Sequence, residues 1–194
     1  MENQYKVKNN GAWVGSSDCH GHMEFYGLKK GIEFFLKENK ANSVVDFGCG
    51  CGGYSEFLRN KGFYVECYDG NPDTPKNTNY MCKVCDLSEK IELDKKFDFV
   101  LSLEVGEHIP KKYEKTFIDN IHRHNERGVI ISWATLNPYQ DGIGHVNNQD
   151  NKYIIDCFTK LGYVHDIESQ TKIKKSIKCK NLWFHDSLMV FVRE

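Results

Sequence analysis

Residues 44–58 read "VVDFGCGCGGYSEFL", and the fold turns on this stretch. An apolar run through Phe47 stops in alternating glycines and cysteines, and "GYSEFLRNKG" then follows a helical pattern that Gly62 ends. A strand, a glycine turn and a helix in that order can carry a metal on Cys49 and Cys51, carry a nucleotide-like ligand, or simply turn the chain. Gly48, Gly50, Gly52 and Gly53 let the backbone approach a ligand and adopt positive φ. The helix behind them points unpaired N–H groups at the same spot. Spacing alone, a GxGxxG at Gly48, Gly50 and Gly53, is a weak signal. Three acids sharpen it. Asp46 precedes the turn. Asp69 ends the next strand, where a carboxylate can accept hydrogen bonds from both ribose hydroxyls. Asp86, in "VCDL", follows a third strand, within reach of an adenine amino group.

Outward from that turn, strand and helix patterns alternate. "HMEFYGLKKGIEFFLKEN" places Phe25, Leu28, Ile32, Phe35 and Leu36 on one helical face. "FYVECYDG" and the weaker "YMCKVCD" are strands, and "KFDFVLSLEV" has the doubly apolar centre of an interior parallel strand. "PKKYEKTFIDNIHRH" opens a helix at Pro110, "GVIISWA" is a strand, and "QDNKYIIDCFTKLG" is a helix. This order predicts a doubly wound α/β sheet with right-handed crossovers. "YVHDIES" and "LWFHDSLMVFVRE" read as two last strands in an antiparallel edge hairpin, with the lysine-rich "TKIKKSIKCK" as its solvated connection.

The chain has 194 residues, enough for one domain with a full core. Its net charge of −1 gives no whole-protein case for nucleic acid or a membrane surface as partner. No apolar run is long enough to span a bilayer, and the polar start "MENQYKVKNNGAW" lacks a signal-peptide core. A cytoplasmic location is expected, or host cytoplasm if the source is a virus. The eight cysteines then read as reduced thiols. Cys82 and Cys85 form one CxxC, and CxC at Cys49 and Cys51 complements it poorly, so no metal is expected.

"VVDFGCGCG", "VECYDGNP", "VCDL" and "FDFVLSLEVGEHIP" resemble, in order and spacing, the motifs of class I S-adenosylmethionine-dependent methyltransferases, and "LEVGEHIP" resembles their small-molecule branch. The resemblance implies a Rossmann-like, seven-stranded, mostly parallel sheet of order 3-2-1-4-5-7-6, strand 7 antiparallel, with helices on both faces. It implies one methyltransferase domain over residues 1–194, residues 1–23 being an N-terminal lid or cap. The implied cofactor is S-adenosylmethionine. Asp46 and the backbone of Gly48, Gly50 and Gly52 would meet its methionine part. Asp69 and Gly70 would meet the ribose, Asp86 and Leu87 the adenine, and Glu104 the sulfonium end.

Methyl transfer to a hydroxyl needs alignment and removal of a proton, a task suited to histidine. His108, in "EVGEHIP", and His145, in the long loop "SWATLNPYQDGIGHVNNQ", follow adjacent strands. His145 is the preferred base, with Asn147 on a neighbouring acceptor hydroxyl and Trp133 as the pocket floor. His20, His22 and Glu24 alternate, so an extended segment would put them on one face, where with His108 or His145 they could hold a metal; the preferred reading is a lid, His22 meeting the acceptor and Trp13 or Tyr26 packing on the ligand. The expected reaction is O-methylation of a small molecule, a sugar or glycan hydroxyl by preference; the small size, the "GHVN" loop and the Lys/Asn-rich composition together resemble glycan-modifying methyltransferases of large DNA viruses, without a motif match. The alternatives are an N- or carboxyl-methyltransferase on a protein or metabolite, and a non-catalytic S-adenosylmethionine-binding subunit. An amine-directed "NPPY" motif is absent after the fourth strand, and "LNPY" at residues 136–139 comes one strand too late.

Overall fold

The computed structural model describes residues 6–14, 24–179 and 182–193. A small hairpin comes first, β1 (Lys6–Val7) antiparallel to β2 (Trp13–Val14). Then follow α1 (Tyr26–Glu38), β3 (Ser43–Phe47), α2 (Gly53–Arg59), β4 (Tyr64–Asp69), the short α3 (Thr74–Asn77), β5 (Lys83–Val84) and β6 (Phe97–Ser102). The second half runs α4 (Glu114–Arg123), β7 (Asn125–Ser132), α5 (Asn151–Lys160), β8 (Tyr163–His165), α6 (Ile167–Ser176), α7 (Phe184–Ser187) and β9 (Leu188–Arg193).

Seven strands make one sheet in the order β5-β4-β3-β6-β7-β9-β8. All neighbours are parallel except the two pairs made by β9. Counted from β3, this is 3-2-1-4-5-7-6 with the seventh strand reversed, as expected. Side chains alternate between two cores, as a period of two requires. Val45, Val100, Val129 and Ile131 face α4 and α5, where Phe117, Ile121, Ile154 and Phe158 are buried. Val44, Phe99, Leu101 and Ile130 face the opposite way, onto Leu28, Ile32, Phe35 and Leu36 of α1.

The C-terminal expectation needs correction. No hairpin joins the last two strands: α6 lies between them, and β9 inserts between β7 and β8. Residues 171–176 of the lysine run are the second half of α6. Ile173 is the one residue of α6 buried in the core, so its charged face hides the helical period. α6 sits close on α1 because Gly27 and Gly31 leave it room. A Cβ on Gly27 would fall 2.3 Å from the Ser176 carbonyl oxygen, and the Ser176 hydroxyl donates to the Gly27 carbonyl at 2.6 Å.

The reduced-thiol expectation fails, among the described residues, at Cys51, Cys67 and Cys82, all three disulfide-bonded. β4 and β5 run side by side with Tyr68 opposite Lys83, which sets Cys67 beside Cys82. Those two form a disulfide, with Cα atoms 4.8 Å apart. Cys85 is not its partner and packs on the core as a free thiol.

Candidate active site

A cavity of about 400 Å³ opens at the carboxyl ends of β3, β4 and β6. Its base is the glycine turn. Gly48, Gly50 and Gly52 take φ of +81°, +52° and +75°, so L side chains there would be strained. A Cβ on Gly48 would lie 2.2 Å from Val105, and one on Gly52 2.6 Å from the Met81 methyl. Gly48, Cys49, Gly50, Cys51 and Gly53 line the cavity; Gly52 lies beneath, at the N-cap of α2. The turn is tied to β4 from both sides. The Gly48 and Cys49 N–H groups donate to the Tyr68 carbonyl, and the Gly50 N–H donates to Asp69 Oδ2 at 2.8 Å.

All three expected acids line the cavity, each held differently. Asp46 is buried and accepts one hydrogen bond, from the Ser55 hydroxyl at 2.6 Å. Burial, helped by the charge of Asp69 and opposed by Ser55, pushes its carboxyl up to about 7. Asp69 also accepts from the Asn71 N–H at 2.8 Å. Asp86 accepts from the Ser88 N–H and hydroxyl and, at 2.7 Å, from the Asn10 amide. Burial opposes its ionisation, but those hydrogen bonds outweigh it and hold the carboxyl below its ordinary value. Asn10 belongs to the tip of the β1–β2 hairpin, which covers this end. A Cβ on Gly11 would fall 2.1 Å from the His108 carbonyl oxygen, so only glycine allows the tip so close. Gly70 stands against Ala12, and Leu87 completes the wall.

The other end of the cavity is built after β6. Glu104 takes a left-handed φ of +56°, which is costly for a side chain with a Cβ and is typical of functional turns. Its N–H donates to the Ser132 hydroxyl, and its carboxylate accepts from Ser187. Burial raises its carboxyl above the usual range. His108 lines the cavity with Trp13 edge-on at 5.4 Å. His108 Nδ1 lies 3.1 Å from the Gly144 carbonyl and 3.4 Å from the Trp13 indole nitrogen, two contacts that require opposite protonation. The shorter one needs the proton on Nδ1, which leaves the lone pair of a neutral ring on Nε2. His145 does not line the cavity. It packs edge-on behind His108, ring centroids 4.8 Å apart, and burial lowers its pKa.

Trp133 and Asn147 also lie behind the wall. Trp133 is 0% exposed, its ring filling the space a Gly106 side chain would take and its indole N–H donating to the Asn147 carbonyl at 2.7 Å. Asn147 is buried, and its amide donates to Glu114 at 2.9 Å. These two brace the turn that carries Glu104 and His108. Tyr26 is exposed and stacks edge-on with Phe57, away from the cavity. His20 and His22 lie outside the described residues. Glu24 does line the cavity, over Gly53 at the start of α2.

Several lining residues had no reading from the sequence. Asn10 and Gly11 form an Asn-Gly pair, a turn signal that could have marked the hairpin tip. Trp183 and Phe184 reach the cavity from α7, and Ile143 from the loop after β7. Their approach depends on tertiary packing, and no local pattern announces it.

Three comparisons bear on this geometry. A family model described as a methyltransferase domain matches residues 20–165. A probable chloroplastic tocopherol O-methyltransferase from Oryza sativa subsp. japonica is 34% identical over 116 residues, 52% of this chain and 31% of that protein. The chain thus spans about a third of the length of that curated relative. A magnesium protoporphyrin IX methyltransferase from Synechocystis, crystallised with bound SAH, superposes with a TM-score of 0.65 at 17% identity, covering 86% of this chain and 82% of that one. An S-adenosylmethionine-dependent methyltransferase from Clostridium acetobutylicum gives 0.67 at 12% identity, covering 91% and 94%. At these identities the two structures speak for the fold.

Proposed function

The chain belongs to the methyltransferase domain family, and from that premise we propose that it transfers a methyl group from S-adenosylmethionine to a hydroxyl of a small molecule. The carrying observation is the cavity's division into two ends. One end offers three carboxylates on successive strand ends over a glycine turn; the other offers His108 beside Glu104. The cavity fits the cofactor on its own chemistry. Gly48 and Gly70 let Val105 and Ala12 pack directly on the backbone of the wall, and Asp46, Asp69 and Asp86 line the cavity as acceptors of the kind that ribose hydroxyls, an adenine amino group and an ammonium require. Asp69 and Gly70 hold the ribose, Asp86 and Leu87 the adenine, Asp46 and the glycine turn the methionine part, and Trp13 closes over the ligand. The β1–β2 hairpin acts as the lid.

Bound S-adenosylmethionine supplies an electrophilic methyl on a sulfonium. Residues 104–108 align the acceptor oxygen with it. The oxygen–carbon bond forms as the carbon–sulfur bond breaks, and the hydroxyl proton leaves at His108. His108 replaces His145 as first choice for that contact, because His108 lines the cavity and His145 stands behind it. His145, Trp133 and Asn147 position it.

A sugar hydroxyl is the acceptor favoured by the polar loop after β7. A second reading has an observation of its own: Leu136, Ile143 and Val146 of that loop are exposed, and Ile143 lines the cavity, which suits a phenol carrying an apolar tail. Labelled S-adenosylmethionine incubated with nucleotide sugars, glycans and prenylated phenols decides between them. Label transferred to a hydroxyl supports the proposal; label transferred only to amines or carboxylates sinks it.

A further inference from the structure

Behind the acceptor end, two chain segments bring together a buried carboxylate and two imidazoles, each with a lone pair to offer. Glu107 and His108 are consecutive in the turn after β6, and His145 comes from the loop after β7. One carboxylate oxygen and one nitrogen from each ring all lie within 4.8 Å of one another. Glu107 is 0% exposed, and neither of its oxygens makes a hydrogen bond; the buried His145 Nδ1 makes none either. Buried polar groups are nearly always paired, so three such atoms in one place ask for a shared partner. Two backbone contacts lock the cluster: the N–H groups of Val146 and Asn147 both donate to the Glu107 carbonyl, at 2.8 and 2.9 Å. The two segments are therefore held together by main chain, not by the side chains in question.

The donor set decides what the partner is. An ionised carboxylate has no proton to give, and a neutral imidazole offers one lone pair. A cation takes up lone pairs from all of these atoms at once.

We infer that Glu107, His108 and His145 hold a divalent transition-metal ion at the acceptor end of the cavity. Two imidazoles and a carboxylate suit manganese, iron(II), cobalt or zinc better than magnesium or calcium, which take oxygen ligands. Three protein ligands leave coordination positions open, and His108 sets the site against the cavity. The ion would draw the acceptor's hydroxyl oxygen to the methyl and acidify it; with the lone pair of His108 on the metal, the proton passes to solvent and not to His108. An acceptor with two neighbouring oxygens, a vicinal diol or its aromatic counterpart, fills two positions at once. This deepens the proposed function and rests on it for the acceptor, but not for the site.

The test is a cobalt(II) titration of protein dialysed against a chelator, followed by visible absorption, with S-adenosylmethionine affinity measured in parallel. One equivalent should bind with nitrogen- and oxygen-type bands. Glu107→Gln and His145→Ala should each weaken binding by more than the roughly ten- to hundredfold that losing a metal's outer partners costs. Cofactor affinity should hold in both variants, which shows that they are folded. No cobalt binding by the unaltered chain overturns the inference. So does strong sulfur-to-cobalt charge transfer, which would put the ion on a free thiol such as Cys49 and not on this cluster. Turnover that survives complete metal removal overturns it too while leaving the methyltransferase reading intact. Cobalt held by these residues in a chain that binds no S-adenosylmethionine would support the site and sink the proposed function.

Discussion

The two ends of the cavity are built on opposite plans. At the cofactor end, Asp69 and Asp86 are each fixed by hydrogen bonds from the protein and keep lone pairs to spare: Asp69 by the Gly50 and Asn71 N–H groups, Asp86 by Ser88 and Asn10. At the acceptor end the functional side chains are under-satisfied. Glu107 and His145 Nδ1 have no hydrogen-bond partner, and Glu104 sits in a left-handed conformation. The first end is a preformed mould for a ligand with its own donors. The second stores unpaired acceptors and backbone strain, as sites that act on a reactant do.

His108→Ala sharpens this contrast most. Removing a proton-handling group costs about 10²–10⁴ in rate. Single-turnover rates should fall by that order while S-adenosylmethionine affinity stays unchanged; equal losses in both would merge the two ends into one. Gly48→Ala should do the converse. It forces a Cβ onto Val105 and into a left-handed φ, a strain on the order of 1–3 kcal/mol. Calorimetry should show weaker cofactor binding in any variant that stays folded, and full affinity would contradict the account of the turn.

A smaller effect comes from pH. Asp46 ionises near its ordinary 3.8 in the unfolded chain but near 7 in the native one, through burial above all. Between those values the native state holds a proton the unfolded state has lost. Its contribution is therefore fully present below about pH 4 and is lost as pH rises through about 7. Asp46→Asn cannot ionise, so its denaturant stability should drop less than that of the unaltered chain between pH 5 and pH 8. Equal drops would mean the carboxyl is not desolvated. The smallest effect belongs to Trp133→Phe, which leaves the buried Asn147 carbonyl without its indole donor. About 1–3 kcal/mol of stability should go, with a lower melting temperature and a smaller rate loss than His108→Ala. A rate loss as large would put Trp133 at the acceptor itself.

The cofactor end was legible in the sequence because its chemistry is local. Glycines that need positive φ and acids at strand ends repeat within about one strand–helix–strand unit, and each expected acid lines the cavity. The acceptor end was legible in residue type but not in arrangement. His108 and His145 stood out as histidines after adjacent strands. Which one reaches the cavity depends on the Gly144 carbonyl, the Gly11 approach and the bulk of Trp133, contacts between segments far apart in sequence. α6 was misread for a related reason. Its single core residue gives no helical period, and the glycines that seat it lie in α1, some 140 residues earlier. The Cys67–Cys82 pairing likewise follows from strand register, which composition cannot supply.

The central claim is that the acid-lined end is an S-adenosylmethionine mould. Titration calorimetry of S-adenosylmethionine into the unaltered chain and into Asp69→Ala tests it most directly. The unaltered chain should bind, and the variant should lose hydrogen bonds to a charged group worth about 1.5–3 kcal/mol, or roughly ten- to a hundredfold in affinity. No binding by the unaltered chain, or equal binding by both, would contradict it.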